Sequence, residues 1–195
     1  MFLENTINHS KQSGWMEVIC GSMFSGKTEE LIRRLRRAEM AGQHVEIFKP
    51  RLDTRYSEED VVSHNQNKIR STAVDNPNEI LLLASNCDVV GIDEAQFFDE
   101  SIVDIANQLA NSGVRVVVAG LDMDFLGRPF GPMPNLMATA EYVTKVHAIC
   151  KRTGNLANYS MRISQGNDLV ELGETESYEA VSRRVFIDEV LLRKK

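Results

Sequence analysis

Gly21-Ser22-Met23-Phe24-Ser25-Gly26-Lys27-Thr28 has the spacing G-x-x-x-x-G-K-[ST]. Each fixed position has a chemical reason. The glycines let the backbone curl, so that successive amides point into one hollow and hold phosphate oxygens. Lys27 brings a point charge to the β and γ phosphates, and Thr28 offers a hydroxyl to Mg²⁺. A helix starting here adds the positive end of its dipole. From average residue usage, a chance match in a chain of this length has a probability on the order of 1%. The context lowers it: an apolar run, Trp15 to Cys20, precedes the motif, and Lys27 to Met40 follows with Leu31, Ile32 and Leu35 apolar at helical spacing.

The same alternation continues outward. His44 to Phe48 reads as a strand stopped by Pro50, Asn78 to Ala84 as a helix begun after Pro77, and Cys87 to Ile92 as a buried strand. Ser101 to Leu109 is a helix ended by Gly113, and Val114 to Ala119 is another buried strand. Strands and helices alternating at this spacing predict βαβ units, and uniformly apolar strands predict a parallel sheet covered on both faces. The fold class is therefore α/β, a P-loop NTPase-like parallel sheet flanked by helices. Arg51 to Asn67 has no apolar periodicity and reads as a long loop, and Leu121 to Met137, with Gly127, Pro129, Gly131, Pro132 and Pro134, as an ordered loop without helix or strand. Beyond Thr144 the pattern becomes short β-like segments. The division predicted is a frayed N-terminus over 1–14, an α/β domain over 15–149, and a small β-rich appendage over 150–195.

A P-loop needs a second acid for its metal, at the end of a neighbouring buried strand. Val89-Val90-Gly91-Ile92 delivers Asp93 and Glu94 there. Asp93 would hold Mg²⁺, which leaves Glu94 for proton work on an attacking hydroxyl or water. Alone, the two acids could simply begin the next helix. DEAQ also looks like a helicase box, but 195 residues are few for a two-lobed engine, and a net charge of −6 does not suit a nucleic-acid track. The Arg33-Arg34 and Arg36-Arg37 runs wrap round a helix and read as a solvated or intersubunit face. A chain 43% hydrophobic and 26% charged is that of a globular protein. No apolar run approaches the ~20 residues of a bilayer span, and the polar start lacks a signal-peptide core. Three cysteines, an odd count without close spacing, fit a reducing cytoplasm. The alternatives at this point are a small kinase, a P-loop ATPase acting on a macromolecule, and a degenerate nucleotide binder.

Beyond the motif, the chain resembles the cytosolic, human-type-1-like (type II) thymidine kinase family and its bacterial members. The likeness is carried by GSMFSGKT, by FKPRLDTRY from Phe48 to Tyr56, by GIDEAQFF from Gly91 to Phe98, by AGLDMDFLGRPFGPMPNLM from Ala119 to Met137, and by Gly173 and Tyr178, in the family's order. It implies ATP binding by Gly21, Ser22, Met23, Phe24, Ser25, Gly26, Lys27, Thr28, Asp93 and Gln96, with Mg²⁺ at Thr28 and Asp93. It implies Lys27 and Glu94 as catalytic groups, Glu94 taking the proton of the thymidine 5′-hydroxyl. Met23, Phe97, Phe125, Phe130 and Tyr178 match positions that wall the thymine, and a lasso in the appendage reads the base through its backbone. Arg55 and Arg128 are further candidates for phosphate or nucleotide contacts. The family is generally tetrameric and inhibited by dTTP. Deoxyuridine would be a second substrate, and no nucleic acid or membrane partner is implied.

The chain departs from the family where relatives carry a structural zinc on two C-x-x-C pairs. Cys150 and Thr153 stand at the first pair, and Ser182 and Val185 at the second. The appendage is therefore expected to be zinc-ribbon-like but metal-free, with no completing pair for His147 and Cys150. Either packing of Ile149, Leu156, Tyr159, Val181 and Phe186 holds it instead, or the lid is looser than in relatives. Ser160, where the family often has threonine, lies two places before Arg162. Chelation followed by restoration of Mg²⁺ is expected to leave the melting temperature unchanged; a large fall would show that a structural metal holds the fold after all.

Overall fold

The computed structural model describes residues 14–51, 60–62, 68–163 and 177–193. Its elements in chain order are β1 (Trp15–Gly21), α1 (Lys27–Met40), β2 (Val45–Pro50), β3 (Asp60–Val62), β4 (Lys68–Arg70), β5 (Thr72–Val74), α2 (Pro77–Leu83), β6 (Val89–Ile92), α3 (Ser101–Asn111), β7 (Arg115–Leu121), α4 (Met133–Thr139) and β8 (Tyr142–Val146). A 3₁₀ turn, Ala95–Phe97, follows β6. The chain continues with β9 (Ala148–Ile149), β10 (Leu156–Ala157), β11 (Tyr159–Arg162), β12 (Tyr178–Val181) and α5 (Arg183–Arg193).

Six strands pair in parallel in the order β5-β2-β6-β7-β1-β8. Side-chain alternation divides the core. Val18 and Cys20 of β1 join Ile92, Val116, Ile102 and Ile105 on the α2–α3 face, while Ile19 meets Leu31, Leu35, Ile47 and Val117 beneath α1. Both faces are covered, so the strands can be apolar throughout. Helix α2 begins with a capping box: Asn76 accepts from Asn78 N–H at 2.9 Å, and Glu79 accepts from Asn76 N–H at 3.0 Å.

Several expectations are corrected. The segment read as a loop from Leu121 to Met137 turns helical at Met133, which is fully buried and gives that turn a core contact despite the prolines. The stretch read as loop from Arg51 to Asn67 contains β3, which pairs antiparallel with β4. The appendage is not purely β, since α5 follows β12. Ile149 and Leu156 are 59% exposed and do not hold it together. Its core is instead Cys150, Ala157, Tyr159, Met161 and Val181, with Phe186 stacked on Tyr159 at 4.3 Å. His147, expected as a strand residue in the β-like run beyond Thr144, stands between β8 and β9.

Arg34 is also not on a solvated face. It is 4% exposed and pairs with Glu17 of β1 at 2.8 Å, with Glu30 at 2.8 Å, and with Thr144 Oγ1 at 2.9 Å. Glu17 is fully buried, and also accepts from Arg115 Nε at 2.7 Å and Trp15 Nε1 at 2.7 Å. This cluster pins α1 to β1, β7 and β8 at the end of the sheet away from the P-loop. Removing one partner from a buried ionic cluster strands the others. Glu17→Ala is therefore expected to cost about 3–5 kcal/mol in urea unfolding, whereas Arg33→Ala on the exposed side of the same helix should cost less than about 1 kcal/mol.

Candidate active site

The motif residues form the turn between β1 and α1. Gly26 has φ 84°, a left-handed conformation that glycine adopts without a side-chain clash, and it stands at the N-cap of α1 with no side-chain cap bond. A glycine here places no side chain over the first turn, and the positive end of the helix dipole faces the loop. Lys27 Nζ donates to Ser22 O at 2.8 Å, and Ser25 Oγ donates to the same carbonyl at 2.7 Å. The lysine is folded over the hollow it would serve.

The acidic pair ends β6, one strand beyond β7 from the P-loop. Asp93 is buried, and its Oδ2 lies 3.5 Å from Thr28 Oγ1. Two oxygens this close, one from a carboxylate, suit a hard cation that takes its remaining oxygens from phosphate and water. Glu94 N–H donates to Asp93 Oδ1 at 3.0 Å. Glu94 itself has φ 51°, in the left-handed region that an ordinary side chain seldom adopts. Strain of this kind persists where the surroundings over-determine it and gathers at functional sites.

Gln96 holds the Glu94 side chain. Its Nε2 donates to Glu94 Oε2, and its Oε1 accepts from Leu121 N–H at 2.9 Å. A Cβ at Gly120 would lie 2.9 Å from that Oε1 and 2.5 Å from Met133 Sδ, so only a bare backbone at 120 lets Gln96 lie across β7. Gln96 thus contacts both the carboxylate of Glu94 and the end of β7.

The aromatic candidates fall into two groups. Phe97 and Phe130 meet edge to face, 5.8 Å apart at 87°. Phe125 and Tyr178 are joined by Arg162, whose guanidinium lies 4.1 Å from the Phe125 ring centroid and whose Nη2 donates to Tyr178 Oη at 2.7 Å. Arg162 is 2% exposed. A charged residue in a short β-pattern was the available sequence signal, but its partners came from distant segments. Met23 contacts the appendage through its backbone, N–H to Ser160 Oγ at 2.9 Å. The loop after β7 is ordered by Asp124, whose Oδ1 accepts from Leu126 and Arg128 N–H at 2.9 Å each. The Arg128 side chain is exposed. Arg55, Gly173 and residues 164–176 of the expected lasso lie outside the described residues.

With this arrangement in view, the comparisons with known proteins are specific. The thymidine kinase family model matches residues 14–186. The chain belongs to the thymidine kinase family. It is 62% identical over 180 residues to a thymidine kinase of Rhodothermus sp. (strain ITI 518), covering 92% of this chain and 84% of that one. It is 58% identical over 187 residues to the Bacteroides thetaiotaomicron thymidine kinase, covering 96% and 94%. A Porphyromonas gingivalis (strain W83) thymidine kinase is 62% identical over 184 residues, covering 94% and 90%.

The family match runs through Cys150, Thr153, Ser182 and Val185. Here Thr153 Oγ1 donates to Ser182 Oγ at 3.5 Å, and Cys150 lies fully buried beside them. Beyond that cluster Arg152 forks: Nη2 meets Glu179 of β12 at 2.6 Å, and Nη1 meets Glu189 of α5 at 2.7 Å. Desolvation pushes the Cys150 thiol up, but the Thr153 side chain and the backbone N–H groups of Ser182, Arg152 and Thr153 favour thiolate more, and the net pKa is lowered to about 7. A pKa below its unfolded value contributes stability above the unfolded pKa, and that contribution is lost as pH falls through the folded one. Between pH 9 and pH 7 the wild-type melting temperature should therefore fall relative to Cys150→Ser. A constant difference between the two proteins would exclude a thiolate at this position.

Proposed function

We propose that this chain transfers the γ-phosphoryl group of ATP to the 5′-hydroxyl of thymidine, and of deoxyuridine, giving dTMP for pyrimidine salvage and DNA synthesis. The observation that carries this reading is the acidic pair: Glu94, left-handed in its backbone and with its carboxylate held by Gln96, next to an Asp93 that faces Thr28 across β7. Membership of the thymidine kinase family supports the choice of acceptor.

The residues divide the work. The amides of the loop from Gly21 to Thr28, apart from that of Met23, and the N-terminus of α1 bind the triphosphate, with Lys27 drawn from Ser22 O to the β and γ phosphates. Thr28 and Asp93 would hold Mg²⁺, which neutralises charge developing on the transferred group. Glu94 accepts the 5′-hydroxyl proton as that oxygen bonds to the γ-phosphorus and the bond to the β,γ-bridging oxygen breaks. Met23, Phe97, Phe125, Phe130 and Tyr178 wall the thymine and keep water from the reacting oxygen. Positioning and charge carry the catalysis, as phosphoryl transfer requires.

In this reading 15–149 is the kinase domain and 150–195 the appendage that encloses the nucleoside. The active form is a cytoplasmic homotetramer inhibited by dTTP. No helix among the described residues is long and apolar enough to cross a membrane.

The test is dTMP formation from thymidine and Mg-ATP, with Glu94→Gln run beside the native protein. The mutant should lose about 10²–10⁴-fold in kcat, the range for a removed general base, while still binding ATP. Native protein that binds ATP but forms no dTMP would make the chain a nucleotide binder, and ATP hydrolysis indifferent to thymidine would make it an ATPase.

A further inference from the structure

The appendage grips the P-loop at three consecutive residues. Ser22 Oγ donates to Ala157 O at 3.2 Å, across 135 positions of sequence. Met23 N–H donates to Ser160 Oγ at 2.9 Å, across 137. Phe24 packs against the appendage core around Tyr159 and Val181. Phe24 also has φ 61°, so the loop is strained at the residue the appendage covers.

The other end of this connection is the nucleoside side. Strand β11 pairs with β12 so that Ser160 stands opposite Ala180 and Arg162 opposite Tyr178. One hydroxyl and one strand pair therefore separate the Met23 amide from the Tyr178 ring. The site residues alone do not require this. A P-loop could close on itself, and Ser25 and Lys27 already do so through Ser22 O.

We infer that Ser160 is a positioning residue: its hydroxyl fixes the Met23 amide and thereby couples nucleoside binding beside Tyr178 to triphosphate binding at the P-loop. The inference rests on the function proposed above. A nucleoside that orders the β11–β12 pair also orders the frame to which the P-loop is tied. The triphosphate then finds that ordering already done, and its affinity rises. Linkage makes the effect reciprocal, so the triphosphate raises thymidine affinity by the same factor. Alanine at 160 removes the acceptor and strands the Met23 amide, whereas threonine keeps a hydroxyl at the same place.

Calorimetric titration tests this with β,γ-imido-ATP and Mg²⁺, with and without saturating thymidine, and then in the reverse order. The wild-type protein should show each ligand tightening the other by about 5–10-fold, within the usual range of coupling between sites. Ser160→Ala should reduce that factor to below about twofold, and Ser160→Thr should retain it. If Ser160→Ala does not fold, Ser160→Cys, with its weak acceptor, is read in its place. A purely structural role would weaken both ligands and leave the coupling factor intact, and that result overturns the inference. So does thymidine binding to the wild type with a factor of one. Binding of the ATP analogue with no thymidine binding at all would overturn the proposed function as well.

Discussion

The charge of a triphosphate can be met at a strand end only if several amides face one hollow with no side chain in the way. Between Gly21 and Thr28 that requirement places a left-handed glycine at the N-cap of α1 and a left-handed phenylalanine at its crest. Neither conformation is intrinsically favoured for a chain of ordinary residues. Both are held by neighbours: β1 and β7 fix the start of the loop, α1 fixes its end, and the appendage covers its middle. The Glu17 cluster anchors α1 at the opposite end of the sheet, so the helix cannot slide along β1 as the loop is loaded.

The site is assembled from strand ends separated by one strand. Strand β7 lies between β6 and β1, and a bulkier residue at its Gly120 would push Gln96 away from Glu94. The carboxylate proposed to take the proton is thus aimed through an amide resting on bare backbone. Absence of a side chain at one position is as much a part of this geometry as the presence of the acids.

Much of this was legible in the sequence because it rested on local signals. The G-x-x-x-x-G-K-T spacing, the apolar strands and the acids after Ile92 each declare themselves within a few residues. The first helix is found over the predicted range, Lys27–Met40. What failed depended on distant partners. Arg34 looked solvated because Glu17 and Thr144 come from other strands. Met133–Thr139 was hidden by prolines whose helical turn is paid for by burial of Met133 and Leu136. The contacts of Gln96, Ser160 and Arg162 span segments that no periodicity connects.

The Arg152 fork joins the turn after β9 to β12 and α5 through charge-assisted hydrogen bonds. A bond of this kind forms as soon as the three segments meet, without waiting for an ion to be delivered. It is also graded: part-exposed charges lose some of their attraction as salt rises, where a coordinated metal would be either present or absent. The fork therefore adds a small, salt-dependent increment inside the appendage, on top of the salt-indifferent packing of Tyr159, Val181 and Phe186.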